Sequence, residues 1–185
     1  MVRWHANIPQ DPDGLPSYVE DVNFDGIPSW SDPTLFGRVL KCFSRMKTLS
    51  MYQTNIPSPE DLRDVVLGRE LTYLVLARPF CTLSTLMSFI LSLPALEELF
   101  LDTSTIGGPP PTTPPDSDKR NPLRALWLSG VGSEIAASIS QCGITSRKID
   151  LAAGDKMIEK ILVGSSQIVT ELLLQGTWLL WDSAD

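Results

Sequence analysis

Residues 123–134 read LRALWLSGVGSE: an apolar run, then Gly130, Val131 and Gly132, then the start of a helix. Two architectures begin this way. In a dinucleotide-binding fold, a strand enters a glycine-rich turn and a helix, and an acidic residue about twenty positions on takes the ribose hydroxyls. Asp150 stands at that distance from Gly130. In a repeat protein, the same stretch is one unit among several. The dinucleotide pattern also asks for a small residue at position 135, where this chain has Ile135.

The surrounding sequence decides between them. Leu123, Leu126 and Leu128 define a template with apolar residues at its first, fourth and sixth positions. It recurs upstream at Val19, Val22 and Phe24, at Met46, Leu49 and Met51, at Leu71, Leu74 and Leu76, and at Leu96, Leu99 and Leu101. Downstream it recurs at Ser146, Ile149 and Leu151, and at Val169, Leu172 and Leu174. The unit starts lie 27, 25, 25, 27, 23 and 23 residues apart, and Ser146 is the one polar residue among 21 template positions. At 43% apolar content a random triple matches roughly 8% of the time, so seven near-evenly spaced matches mark a repeat. Gly130 and Gly132 then simply turn the chain toward a helix capped by Ser133, and Asp150 falls in the next strand.

Each triplet reads as a short strand, its fourth and sixth residues pointing inward and the residue between them outward. The inserts read as helices. Asp32 and Pro33 start one whose apolar stripe is Leu35, Phe36, Val39, Leu40 and Phe43. Ser58, Pro59, Glu60 and Asp61 start a second that Gly68 stops. Leu83, Leu86, Met87, Ile90 and Leu91 form a third stripe, closed by Pro94, and short helices are predicted over 133–141 and 155–163. The fourth insert, GGPPPTTPPDSDKRNP at 107–122, is too rich in proline for a helix and reads as an exposed loop. No unit buries its apolar side alone, so the units must stack. The expected fold is an α/β solenoid of right-handed βα repeats, with a parallel sheet on the concave face and short helices on the convex face. Residues 1–18 form an irregular N-terminal segment, and 19–185 an array of about seven units starting near 19, 46, 71, 96, 123, 146 and 169.

Composition narrows the partners. Acidic residues outnumber basic ones by 22 to 15, and the basic ones are scattered, so no nucleic-acid partner is expected. The N-terminal MVRWHANIPQ lacks an apolar signal core, and the apolar segment Leu86 to Leu96 is short and interrupted by Ser88, Ser92 and Pro94, so no membrane partner is expected either. Cys42, Cys81 and Cys142 are odd in number and far apart, which reads as reduced thiols in the cytoplasm or nucleus.

LTYLVLARPF with LSLPALEELFLD, together with SWSDPTLFGRVLKCFSRMKTLSM and LRALWL, resemble the leucine-rich repeats of fungal F-box-like proteins, from about Val19 onward. The resemblance implies a receptor whose repeats hold a protein target while an N-terminal F-box docks on a ubiquitin-ligase adaptor. Residues 1–18 are too short and proline-rich for an F-box, so an adaptor is expected as a partner only if an F-box lies upstream. No consistent asparagine follows the strands, so no buried asparagine ladder is expected. Both ends read as cut: a last strand at about 171–175 is followed by GTWLLWDSAD, where a solenoid would carry a polar cap. Either Leu179, Leu180 and Trp181 await a partner or missing repeats, or Trp178 to Trp181 fold back as a cap.

The fifth template position gives a column of outward residues: Asn23, Ser50, Val75, Phe100, Trp127, Asp150 and Leu173. Val75, Phe100 and Trp127 are expected to form an exposed ridge, with Tyr52, Tyr73 and Asp102 on flanking columns, as a protein-binding concave face. The alternative has these side chains packed on one another or under the proline loop. Asp21, Asp25, Glu98 and Asp102 share that face and could pair as acid and base, although solvated carboxylates are commoner. His5 is the only histidine, and no nucleophile or metal-ligand cluster accompanies it, so no catalytic residue, cofactor or metal is expected. The loop offers a Pro111 to Pro114 spacing for a proline-binding domain, and Thr113 as a phosphate acceptor, neither specific. The expected function is noncatalytic protein–protein interaction, similar to the target-binding part of an F-box receptor. The alternatives are a truncated gene product without independent function and a nucleotide binder using the Gly130–Gly132 turn.

Overall fold

The fourth and sixth template positions carry large aliphatic side chains that strand pairing alone cannot hide, and the observed sheet follows from where they go. A computed structural model describes residues 18–26, 36–37, 39–40, 42–43, 45–56, 70–103, 106, 123–152 and 169–174. Seven strands occupy the template triplets: β1 Asp21–Asp25, β2 Thr48–Tyr52, β3 Tyr73–Ala77, β4 Glu98–Asp102, β5 Leu123–Ser129, β6 Ser146–Ala152 and β7 Glu171–Leu174. They form one sheet in sequence order, every neighbouring pair parallel. The register never slips. Val22, Leu49, Leu74, Leu99, Leu126, Ile149 and Leu172 pair in one row, because a one-residue shift would turn every leucine to the other face.

Helices cover that leucine face, among them α1, Leu83–Leu91, and α2, Ser133–Gln141, and residues 36–37 and 39–40 are helical as well. The α1 stripe buries Leu83, Leu86, Met87, Phe89 and Ile90. Thr82 caps this helix, its hydroxyl accepting the Thr85 N–H at 3.2 Å. In α2 the cap is Gly132, with no side-chain acceptor. Ser133, predicted as the cap, is instead the first helical residue, because the turn after Gly130 consumes one residue fewer than the sequence suggests. Phe36, Val39, Leu40 and Phe43 are buried as their stripe predicts, and the rings of Phe36 and Phe24 lie 5.6 Å apart. The helices predicted at 58–68 and 155–163, the cap at Asp32 and Pro33, Leu35, the proline loop, His5 and the tail 178–181 lie outside the described residues.

Both ends of the strands repeat in detail. At their start, a single carbonyl takes two successive N–H groups of the next strand: Glu20 from Lys47 and Thr48, Lys47 from Thr72 and Tyr73, Thr72 from Glu97 and Glu98, and Glu97 from Arg124 and Ala125. At their finish, the ladder runs one residue further: Gly26, Gln53 and Arg78 donate to Tyr52, Ala77 and Asp102 at 3.0, 2.9 and 2.7 Å. Those three residues and Gly130 all have positive φ, between 47° and 67°. Gly26 and Gly130 take this shape without strain, whereas Gln53 and Arg78 hold it at a cost of about 1–2 kcal/mol each. At the far end, the Thr170 N–H reaches the Arg147 carbonyl at 2.8 Å.

The core runs from Val22 and Phe24 to Ile149 and Leu151, all 6% exposed or less. Leu172, in the same row on β7, is 38% exposed. Burial at about 25 cal/mol per Å² is the main term holding the sheet to its helices. No helix among the described residues is long and apolar enough to cross a membrane.

Candidate functional site

With helices on one face of the sheet, the third, fifth and seventh template positions project from the other. Residues on adjacent strands stand about 4.8 Å apart, so this face is a grid of short-range neighbours. The fifth-position row runs Asn23, Ser50, Val75, Phe100, Trp127 and Asp150 across β1 to β6. Tyr73 leans toward Trp127, ring centroids 6.2 Å apart and planes at 66°, an edge-to-face contact. Phe100 and Trp127 keep part of their surface in solvent.

Val75 does not belong to an exposed ridge. Only 8% of its surface is accessible, because its short branched side chain sits low between the longer residues around it. Asp150 is likewise buried at 9%, beside Trp127 in register. The aromatic side chains therefore partly pack on one another, and what remains open is a patch of Tyr73, Phe100 and Trp127 with Tyr52, 39% exposed, to one side.

Next to that patch the surface dips. A depression of about 770 Å³ is floored by Val75 and Ala77 and walled by Tyr52, Tyr73, Phe100 and Asp102. Its cause is a row of unequal side chains: Asp25, Tyr52, Ala77 and Asp102 pair in register, and the methyl of Ala77 leaves a gap between a phenol and a carboxylate. Arg78 reaches over the rim, its Nε 3.6 Å from Asp102 Oδ2. Sequence reasoning placed Tyr52, Tyr73, Val75, Phe100 and Asp102 here but missed Arg78 and Gln53. The signal was available, since both follow their strands where Gly26 and Gly130 do.

A smaller hollow of about 310 Å³ lies at the start of the strands. Four of the charged groups that line it are paired across neighbouring strands, Lys47 with Glu20 at 2.8 Å and Arg124 with Glu98, and Asp21 and Glu97 line it as well. The Glu20 carboxylate, hydrogen-bonded to the ammonium, holds Lys47 above its ordinary pKa of 10.5. Lys148 and Glu171 form a third such pair at 2.9 Å. Exposed pairs of this kind contribute little to stability, because solvent screens them.

Of the carboxylates that sequence placed on the open face, Asp21 and Asp25 stand on β1, and Glu98 and Asp102 on β4. In the register they are three strands apart, about 14 Å, so the two strands' acids are not brought together as an acid–base couple. The Gly130 turn ends β5 with φ 60°, while Asp150 lies within β6. Among the described residues, no group of three or more His, Cys, Asp or Glu side chains is placed to hold a metal ion.

These features define an α/β protein with a seven-stranded parallel sheet, helices on one face and a partly aromatic face opposite. No family model, no curated protein and no solved structure matches the chain.

Proposed function

We propose that this chain is a leucine-rich-repeat solenoid that acts as a noncatalytic protein-interaction module, binding its target across the open, concave face of the sheet. The observation that carries the reading is the partly solvated aromatic patch of Tyr73, Phe100 and Trp127 on a face that no described helix covers. Aromatic side chains at the centre of a patch supply large contact area with few rotors to freeze, and they dominate measured interface energetics. The repeated strand-end hydrogen bonds support the repeat reading, since each unit solves the same local problem in the same way. Recruitment of a ubiquitin-ligase adaptor belongs to the proposal only where an F-box accompanies the repeats.

Trp127→Asp tests it. The variant keeps the leucine face intact, so its circular dichroism should stay close to wild type, while loss of the Tyr73 contact and a second carboxylate beside Asp150 should lower its unfolding midpoint without unfolding it. Proteins recovered by proximity labelling around the wild-type chain in cells should be lost around the variant. A folded variant that recovers the same proteins as wild type would sink the interaction reading.

A further inference from the structure

Across β1 to β4, the third, fifth and seventh positions of the open face carry Asp21, Asp25, Glu98 and Asp102, and no lysine or arginine. The chain as a whole carries a net charge of −7. The depression sits within this acidic stretch and has an apolar floor, Val75 and Ala77, with phenol rings beside it. A long cationic side chain matches each part in turn. Its methylenes cover the alanine and valine floor, and its head group reaches the rim carboxylates and ring faces, where cations are held by charge and by the aromatic quadrupole.

Resting on the interaction reading above, we propose that the depression between Tyr52 and Asp102 takes a lysine or arginine side chain from an extended basic segment of the partner protein. Arg78 already plays this part weakly. Its guanidinium lies 3.6 Å from Asp102 while its side chain remains 58% exposed, so it occupies the rim without filling the hollow. It is an internal competitor: an incoming cation displaces Arg78 outward and takes over Asp102. Asp25, at the other end of the same row, has no ion-pair partner among the described residues and anchors a second cation of the same segment.

The competition makes the test specific. The probe is a fluorescein-labelled peptide of alternating lysine and alanine, about eight residues long, titrated with the full chain and followed by anisotropy at low salt. The wild type should bind it and ignore the glutamate–alanine counterpart. Asp25→Asn with Asp102→Asn should weaken binding about tenfold. Arg78→Asn, which keeps a residue tolerant of positive φ, should tighten it several-fold. Glu70→Gln with Glu134→Gln removes the same charge from exposed positions outside the face and should leave binding unchanged. Equal weakening by this control pair, or no tightening in Arg78→Asn, overturns the proposal. Its failure is separable from that of the interaction reading: if partner recovery is lost in Trp127→Asp yet kept in Asp25→Asn with Asp102→Asn, the docking face stands and the basic occupant falls.

Discussion

Two buried hydroxyls, Thr103 Oγ1 and Ser138 Oγ, have no hydrogen-bond partner among the described residues. Thr54, equally buried, shows what satisfaction looks like here, its hydroxyl 2.9 Å from the Tyr52 carbonyl. An orphaned hydroxyl is desolvated for nothing, so Ser138→Ala should be neutral or stabilising by up to about 1 kcal/mol, read as an unchanged or raised urea midpoint. A lowered midpoint would mean that the hydroxyl has a partner. Cys81 is informative for another reason: burial pushes its thiol up to about 12 from 9.0. The folded state therefore keeps a proton that the unfolded chain releases above pH 9. This contribution to stability is complete below pH 9 and disappears between pH 9 and 12. Cys81→Ala should flatten that part of the alkaline stability profile, leaving the alkaline loss from Lys47, whose pKa is also raised by folding. At pH 8 the folded protein should alkylate at Cys81 far more slowly than the denatured chain, measured by peptide mapping.

At the scale of elements, the two glycines of 123–134 have different jobs. Gly130 holds φ 60°, so Gly130→Ala should cost about 1–2 kcal/mol. Gly132 is an ordinary cap with φ −75° and open space where a Cβ would go. Gly132→Ser should give α2 the side-chain acceptor it lacks and stabilise by a few tenths of a kcal/mol. Similar losses at both positions would show that the turn is constrained by something other than backbone geometry. The α1 helix was legible because its stripe and Pro94 agree, and its Thr82 cap emerged only in the structure; the cap of α2 was misplaced by one residue because Gly132 and Ser133 are both acceptable caps. The residue types of Gln53 and Arg78 do not announce positive φ, which type signals mainly at glycine and asparagine; only their alignment with Gly26 and Gly130 pointed to it.

For the molecule as a whole, stacking makes the value of a leucine depend on its place in the array. Leu99 is fully buried, with a strand on each side, whereas Leu172 on β7 is 38% exposed. Leu99→Ala should destabilise by about 2–5 kcal/mol. Leu172→Ala, at the same template position, should cost about 1 kcal/mol or less. Equal costs in guanidinium unfolding would mean that β7 is covered as fully as β4.

The seven strands and their shared register were determined by the sequence alone, because period-2 alternation inside a period of 23 to 27 residues admits only one way to turn the apolar template positions to a common face. The same spacing placed Tyr52, Tyr73, Phe100, Asp102 and Trp127 on the opposite face. Tertiary structure alone decided how deep each of them sits. Val75 sinks between taller neighbours, Tyr73 meets Trp127 from two strands away, and Ala77 opens a depression that Arg78 overhangs. These outcomes depend on side-chain heights and lean across strands far apart in the chain, and linear periodicity records only which face a residue occupies.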